Sequence, residues 1–475
     1  MMYDNKVFRR QFLIARIPIS LGPDWRNRSL PEGWVLSYHK DLNLSERTAA
    51  GGRSILVFGN AYCVDALEKG DAVGRFAYLD WPYVCNDRAG ALLSIFCGRR
   101  GDVLVASSSA SLAAIALGQD SETPDFRHPF PPGRAQRYMP APGTRYRHVR
   151  RMLRDQRLNL REGQIERNRA PIVALASYDA AIETVTAELK RFAGELRDRT
   201  TGTIFVQLSA GLDSRTIVAA FAAQGVSFET TTFNEGKEGT DVDATVAGSI
   251  SRKLGIRHTI TGLGTSEPEM QKVYWLQTGA CVEGTSTTLF ARDGGYRFLK
   301  PGDVLVGGAC FELGREYFGK RLGNLTLETA TGAEIWRRLG RQDGPPEFCA
   351  FLDEWLDWRR ADPYGMSFLA SHYLDQRLGA WASTLASAQD LLEGITIQPA
   401  NNQRIFSALI TPSLEDQMAG RLQKDAIGQL CPALMDFPIN PVPFAGRVRR
   451  KVWKLKRAFR RRLRGQSVLM NERGP

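Results

Sequence analysis

The sequence predicts an α/β chain. It has a sheet-rich N-terminal third, a region built on a parallel sheet, and a mostly helical stretch beyond that. Three observations predict this. Short apolar runs separated by Gly, Asn, Asp and Arg clusters recur through the N-terminal third. Farther on, apolar strands at Phe205, Thr232 and Leu305 alternate with segments of helical period. The first of these strands, Thr203-Ile204-Phe205-Val206-Gln207, runs into Leu208-Ser209-Ala210-Gly211-Leu212-Asp213-Ser214 and then a helix.

Taken in order, the runs Trp34 to Tyr38, Ser54 to Phe58, Ala91 to Cys97 and Asp102 to Ser107 read as strands. Pro124 to Gly143, rich in Pro, Gly and Arg, reads as loop. Arg145 to Arg169 is strongly basic and leads to a boundary near Ala170. A helix is expected from about Tyr178 to Arg197, with Ala181, Ile182, Val185 and Leu189 as its apolar stripe. Residues 320–440 read as helical, with Trp336, Trp355, Trp358 and Trp381 among the core positions. In parallel sheets ligands bind beyond the carboxyl ends of the strands, where both the Ser209 turn and the turn at Gly307 would lie.

The Ser209 turn has the chemistry of an anion site. Gly211 lets backbone approach a ligand without Cβ interference. Ser209 and Ser214 offer hydroxyl donors, and the following helix presents unpaired N–H groups and its positive dipole end. Asp213 would repel phosphate on its own, so its presence points to a bridging Mg²⁺, which prefers oxygen ligands. The plain alternative is a strand-to-helix turn with an N-cap. No G-K-[ST] follows, so the turn is not a Walker loop.

The chain's 475 residues allow two or three domains. With 43% hydrophobic and 24% charged residues it has the balance of a soluble globular protein. No apolar stretch is long enough to span a bilayer, and Met1 to Lys6 lack a signal-peptide pattern. Seven scattered cysteines, an odd number, argue against a disulfide framework. With 5 histidines and no C-x-x-C pair, a structural zinc site is not expected. These features fit a reducing cytoplasm. The formal charge of +12 is local, because Arg447 to Arg464 holds eleven Lys and Arg and no acid, leaving about +1 elsewhere. Val448, Val452, Leu455, Phe459 and Leu463 make that segment a basic amphipathic helix. It suits an anionic membrane at the inner surface, an acidic or nucleic-acid partner, or docking on its own chain.

The S-A-G-L-D-S turn resembles the S-G-G-x-D-S pyrophosphate loop of the asparagine synthetase family, with Ala210 in place of the middle glycine. Thr231-Thr232-Phe233 looks like that family's second strand. Asp243, Ala247, Ile250, Ser251, Leu254, Gly255 and His258 match its D-x3-A-x2-[IV]-[AS]-x2-L-G-x2-H segment. The strand Asp303 to Val306 and Gly307-Gly308-Ala309-Cys310-Phe311-Glu312-Leu313-Gly314-Arg315-Glu316-Tyr317 resemble its S-G-x-G-A-D-E-L-x-G-G-Y motif. Phe311 stands where that family has an aspartate ligand. Gly74-Arg75-Phe76-Ala77 and Asn86-Asp87-Arg88-Ala89-Gly90 resemble features of its glutaminase half, and Leu104 to Leu117 looks like a strand entering a small-residue helix there.

The resemblance implies an adenine nucleotide alpha-hydrolase-like synthetase domain over 171–445. It also implies an Ntn-hydrolase-like α+β sandwich over 1–170, and 446–475 is left as the basic tail. It implies ATP and Mg²⁺, AMP-forming activation of a small-molecule or peptide carboxylate, and attack by ammonia or an amine donor. Leu208, Ser209, Ala210, Gly211, Leu212, Asp213, Ser214, Phe233 and Gly307 would bind the nucleotide. Asp213 and Glu312 would hold the metal, and Glu312 and Arg315 would serve the reaction. Arg315 could instead pair with Glu316 or Glu312 on the surface. Lys424 is the nearest positional candidate for a basic residue, though it also reads as a solvated helical lysine; the role of Arg377 is open. Glutaminase chemistry is not expected, since Tyr3 rather than Cys follows the Met1-Met2 start and the first cysteine, Cys63, reads as a small buried residue like Cys85 and Cys97. Ammonia or an amine on the substrate would then supply nitrogen, as in β-lactam synthetases and lasso-peptide cyclases. The competing readings are a degenerate nucleotide-binding or scaffold member and a tRNA-modifying pyrophosphate-loop enzyme.

Overall fold

A computed structural model describes residues 7–64, 67, 70–120, 124–126, 138–168, 171–264, 268–281, 294–340, 343–363 and 365–441. The basic tail, Met1 to Lys6, Ala170 and most of the loop at 127–143 lie outside the described residues.

Two antiparallel sheets form first. Strands β1 (Phe12–Ala15), β2 (Trp25–Ser29), β3 (Val35–His39), β8 (Phe96–Arg100), β9 (Val103–Ser107) and β10 (Val149–Arg151) make one, in the order β10-β8-β9-β1-β3-β2. Strands β4 (Leu44–Thr48), β5 (Ser54–Tyr62), β6 (Val73–Asp80), β7 (Tyr83–Asn86), β11 (Gln156–Asn159) and β12 (Gln164–Arg167) make the other, in the order β12-β11-β7-β6-β5-β4. Alternate residues of each strand share one face. Phe12, Ile14 and Leu36 thereby meet Leu56, Phe58, Ala77 and Leu79 in a dry layer, with Phe12 stacked on Phe58 at 4.5 Å. Helix α1 (Ala110–Ala116), capped by Ser109, follows β9 on small residues that pack closely.

One expected strand is overturned in part. Of Ala91 to Cys97, strand begins only at Phe96. Asp87 accepts hydrogen bonds from the amides of Ala89, Ala91 and Leu92, so this backbone is satisfied by a side chain rather than by a neighbouring strand.

Helix α2 (Tyr178–Arg199) leads to the third sheet, its Ala181, Ile182, Val185 and Leu189 buried. This sheet holds β13 (Ile204–Gln207), β14 (Glu229–Phe233), β15 (His258–Thr261), β16 (Val304–Val306) and β17 (Ile395–Ile397). All its pairings are parallel, and the order is β15-β14-β13-β16-β17. In the central strands Ile204 to Val206 and Val304 to Val306 are apolar and buried, as strands covered on both faces must be, and only Gln207, at the carboxyl end of β13, is polar and partly exposed. The chain steps outward from β13 through β14 to β15 and then returns to β16 on the other side. The order therefore reverses between β13 and β16. Helices α3 (Leu212–Ala223), α4 (Glu238–Lys253) and α5 (Pro268–Gln277) fall between the strands.

The remainder is largely helical: α6 (Gly332–Gly340), α7 (Pro346–Ala361), α8 (Phe368–His372), a π-helical continuation over Tyr373–Ala382, α9 (Ser383–Gln389), α10 (Gln403–Ile410), α11 (Leu414–Ala419) and α12 (Arg421–Leu430). Trp336 and Trp355 are core residues as expected. Trp358 and Trp381 depart from the expectation: each is only partly buried and lies under a guanidinium, Arg167 at 3.9 Å and Arg377 at 3.5 Å. Among the described residues no helix is long and apolar enough to cross a membrane.

Buried polar groups join the sandwich to the later elements. Arg359, fully buried, pairs with Asp155 at 2.8 Å and Asp375 at 2.6 Å. Asn401 donates to Gly74 O and Asp87, and the Gln376 amide pairs both ways with the backbone of Ala141. Arg75 pairs with buried Asp390. Arg75 and Asp87, from the two N-terminal motifs, thus serve this junction.

Candidate functional site

The reversal point between β13 and β16 is where an open parallel sheet forms a crevice at its carboxyl edge. Both expected turns leave the sheet there. The first is pinned from the outset: Leu208 N donates to Thr231 O at 2.9 Å, and Thr232 Oγ1 donates to Leu208 O at 2.6 Å. Leu208, Ala210 and Leu212 turn their side chains into the core, so only their backbone can meet a ligand. The buried Ala210 methyl explains why alanine fits at this position.

Inside the turn, Ser209 N donates to Ser214 Oγ at 3.1 Å, the two hydroxyls lie 3.1 Å apart, and Gly211 N donates to Ser209 Oγ at 3.1 Å. Gly211 has φ −80°, a conformation open to any residue. A Cβ there would stand 3.2 Å from Ser209 Oγ, a tight approach that would press on the hydroxyl accepting from Gly211 N. Gly211 is also the N-cap of α3, and no side chain caps that helix. Its first amides and dipole therefore face the crevice.

Asp213 sits in the first turn of α3 and pairs with Arg315 from the second turn. Arg315 thus takes neither of the acidic partners considered on its own segment. Asp213 Oδ1 is buried and has no hydrogen-bond partner. Burial raises the Asp213 pKa to about 6; Arg315 opposes this and the Glu312 charge reinforces it. Gln423 of α12 lies close enough to favour the charged form, yet its own Nε2 is also without a full hydrogen bond.

Glu312 receives the Tyr373 hydroxyl at 3.3 Å and faces Arg377 Nε at 3.6 Å. The π-helical stretch supplies both partners, and such segments often mark functional sites. Phe311 is fully buried within the core cluster, so an apolar ring fills this position beside Glu312. Gly307 is required by Gln398, whose amide would lie 2.4 Å from a Cβ and whose Oε1 accepts from Ala309 N. Gly308 packs against the start of α3, with Ser214 N 3.1 Å from its would-be Cβ. Phe233 ends β14 at the same edge, half-buried.

Several site residues were not singled out from the sequence. Asp243, noted only as part of a helix pattern, accepts from Ala210 N at 2.8 Å and holds the turn from α4. Arg215 is fully buried and donates to the carbonyls of Ala210, Leu434, Phe437 and Pro438. The signal for it was an arginine directly after the turn in an otherwise apolar helix. Lys424 is half-buried next to Gln423, and it is Gln423 that faces Asp213.

As a cation site, Asp213 and Glu312 offer hard oxygens, one of them unpartnered. Among the described residues no group of three or more His, Cys, Asp or Glu is gathered for a metal. Two carboxylates are the usual protein share for Mg²⁺ that also binds phosphate oxygens, so the pair fits that ion. In the N-terminal half, burial pushes the Cys63 and Cys85 thiols up to about 12 and the Cys97 thiol up to about 11. They are held neutral, and a neutral thiol is a poor nucleophile. The chain matches no family model and no curated protein.

Proposed function

We propose that this chain is an ATP-dependent, AMP-forming amide ligase resembling the asparagine synthetases. Its parallel sheet would then be adenine nucleotide alpha-hydrolase-like, and its paired antiparallel sheets a glutaminase-like sandwich without the nucleophile. One observation carries the reading: an uncapped α3 N-terminus and the unpartnered Asp213 Oδ1 face the reversal point of a parallel sheet, opposite Glu312 and Arg315.

In the proposed reaction a carboxylate oxygen attacks the α-phosphorus of ATP, and pyrophosphate leaves with the electron pair of the broken phosphoanhydride bond. An amine lone pair then attacks the acyl carbon, the bond to AMP breaks, AMP leaves with its electron pair, and the amine gives up a proton. The backbone amides of Ser209 to Ser214 would cradle the pyrophosphate, as helix N-termini do for anions. Arg315 would move from Asp213 to phosphate, since its fork suits either partner. Asp213 and Glu312 would hold Mg²⁺, which when bound would neutralise charge on the leaving pyrophosphate. Asp243 and Arg215 would keep the turn in register from behind.

Two observations favour a second reading, a nucleotide-binding or scaffold protein without turnover: the burial of Phe311 and the Arg315–Asp213 pair. Calorimetric titration of Mg-ATP into the full chain, beside Asp213→Ala, tests the first. Mg²⁺-dependent binding that is lost in the variant, followed by acid-dependent pyrophosphate release, supports the ligase. Binding without pyrophosphate release for any acid and amine supports the scaffold. No binding at millimolar Mg-ATP refutes both.

A further inference from the structure

On the far side of Glu312 a cavity of about 440 Å³ opens to the surface. Its walls are apolar, from Ile172, Leu313, Met366, Leu369, Ala370 and Ile410. Its polar groups are the carboxylates of Glu312 and Glu316, the hydroxyls of Tyr317, Tyr373 and Ser367, the last capping Ala370 N, and the Gln417 amide, which donates to Pro412 O; no basic residue lines it. Glu312 is already engaged by Tyr373 and Arg377. The Glu316 carboxylate, on a residue with φ +45°, has no ion-pair or hydrogen-bond partner among the described residues. The mouth carries further apolar surface. The lining residues Val173 and Tyr317 are 62% and 43% exposed, and α11, which contributes Gln417, leaves Leu414 at 52% and Met418 at 63%.

These features select among the partners of an amide-forming reaction. A site for free ammonia needs about the volume of one water, roughly 30 Å³, so this cavity is more than ten times too large. A carboxylate would meet one unpaired negative charge and no cation in the cavity. An ammonium group with an apolar body matches both the unpaired carboxylate and the walls, and the size is that of a drug-like ligand. Resting on the ligase reading, we infer that the attacking nitrogen is a primary amine carried on an apolar molecule, its ammonium form held by Glu316 and its body seated in the cavity between Leu313 and Ile410.

The test reads amine binding directly, without nucleotide. 4-Phenylbutylamine, 4-phenylbutan-1-ol and ammonium chloride are titrated separately into the full chain by calorimetry. The amine is expected to bind at least about tenfold tighter than the alcohol, and ammonium not measurably. Glu316→Gln is expected to bring the amine down to the level of the alcohol and leave the alcohol unchanged. Ala370→Trp, which fills the cavity, is expected to remove both. Equal affinity for amine and alcohol, no binding of either, or an unaltered Glu316→Gln variant with native circular dichroism would overturn the inference. Mg-ATP titrated into the same sample separates the two claims. Absence of amine binding with Mg-ATP binding intact refutes the amine class alone, whereas amine binding without Mg-ATP binding refutes the ligase reading and with it the role of attacking nitrogen, leaving an amine-binding cavity.

Discussion

Replacing Arg215 with alanine should release the segment that closes the turn from behind. The buried guanidinium donates at 3.0 Å to Leu434 O, 2.9 Å to Phe437 O, 2.9 Å to Pro438 O and 3.2 Å to Ala210 O. Among the described residues it has no carboxylate partner, and burial lowers its pKa, so these carbonyls are what hold the charge in place. Hydrogen bonds to charged groups contribute about 1.5–3 kcal/mol each, and truncation leaves their acceptors bare, but water can re-enter beside residues 434–438. A net loss of about 4 kcal/mol is expected for opening that segment. The reporter is the Asn440 amide, which donates to Ala210 O at 3.0 Å. Hydrogen exchange there should quicken by about three orders of magnitude in Arg215→Ala. Arg215→Lys keeps a charge but not the fork, and should fall between. If exchange at Asn440 is unchanged in both variants, the segment is held by the apolar contacts of Leu434, Phe437 and Ile439 instead, and the reasoning fails.

Other expectations follow from the same structure. Asp213 has a folded pKa of about 6, above its unfolded value of 3.8, so its stabilising contribution is complete below about pH 4 and lost as pH rises through 6. Asp213→Asn should therefore raise the melting temperature at pH 8 relative to the native chain, and little at pH 4; an unchanged difference between the two pH values would contradict the buried-carboxylate account. Phe311→Asp should lower the soluble yield and melting temperature rather than create a Mg²⁺ ligand, because the side chain points into the core. Magnesium titration of any folded variant decides this, and tighter binding would show that position 311 can reach the crevice. Arg359→Met leaves Asp375 buried without its cation and Asp155 with only the more distant Arg167 at 3.7 Å, and should cost about 3–5 kcal/mol; chemical denaturation with native-like stability would mean that solvent or Arg167 compensates at the site.

The central strands and the Ser209 turn were legible because their information is local. Ile204 to Val206 is a short apolar run, and the Ser, Gly and Asp residues after it favour a turn that opens a helix. The order of the sheet was not legible, since nothing in the sequence around β17 says that it lies beside β16. The same limit hid the Asp155–Arg359 pair, whose members are 204 residues apart. Ala91 to Ile95 misled for a different reason. Its apolar side chains are buried as a strand's would be, but Asp87 supplies the acceptors that a neighbouring strand normally provides. For Arg315 the sequence offers a phosphate or substrate carboxylate, or the acids beside it, whereas the fold brings it to Asp213 across the crevice, a partner that sequence distance hides.

The ion pairs between the sandwich and the helices have a practical meaning for anyone cutting the chain. Asp155 lies on one side of the junction at residue 170, and Arg359 and Asp375 on the other; Arg75 and Asp390 are divided in the same way. A fragment beginning after that junction would carry Asp390 without Arg75, whereas the sandwich alone would lose Arg359 from Asp155 and keep Arg167 at 3.7 Å. Each piece is therefore expected to be less stable than the whole chain. The N-terminal region, although its thiols are held neutral, would then serve the crevice-bearing region as a covalently attached folding partner, supplying the guanidinium and hydrogen-bonding groups that its buried Asp390 and Asn401 use.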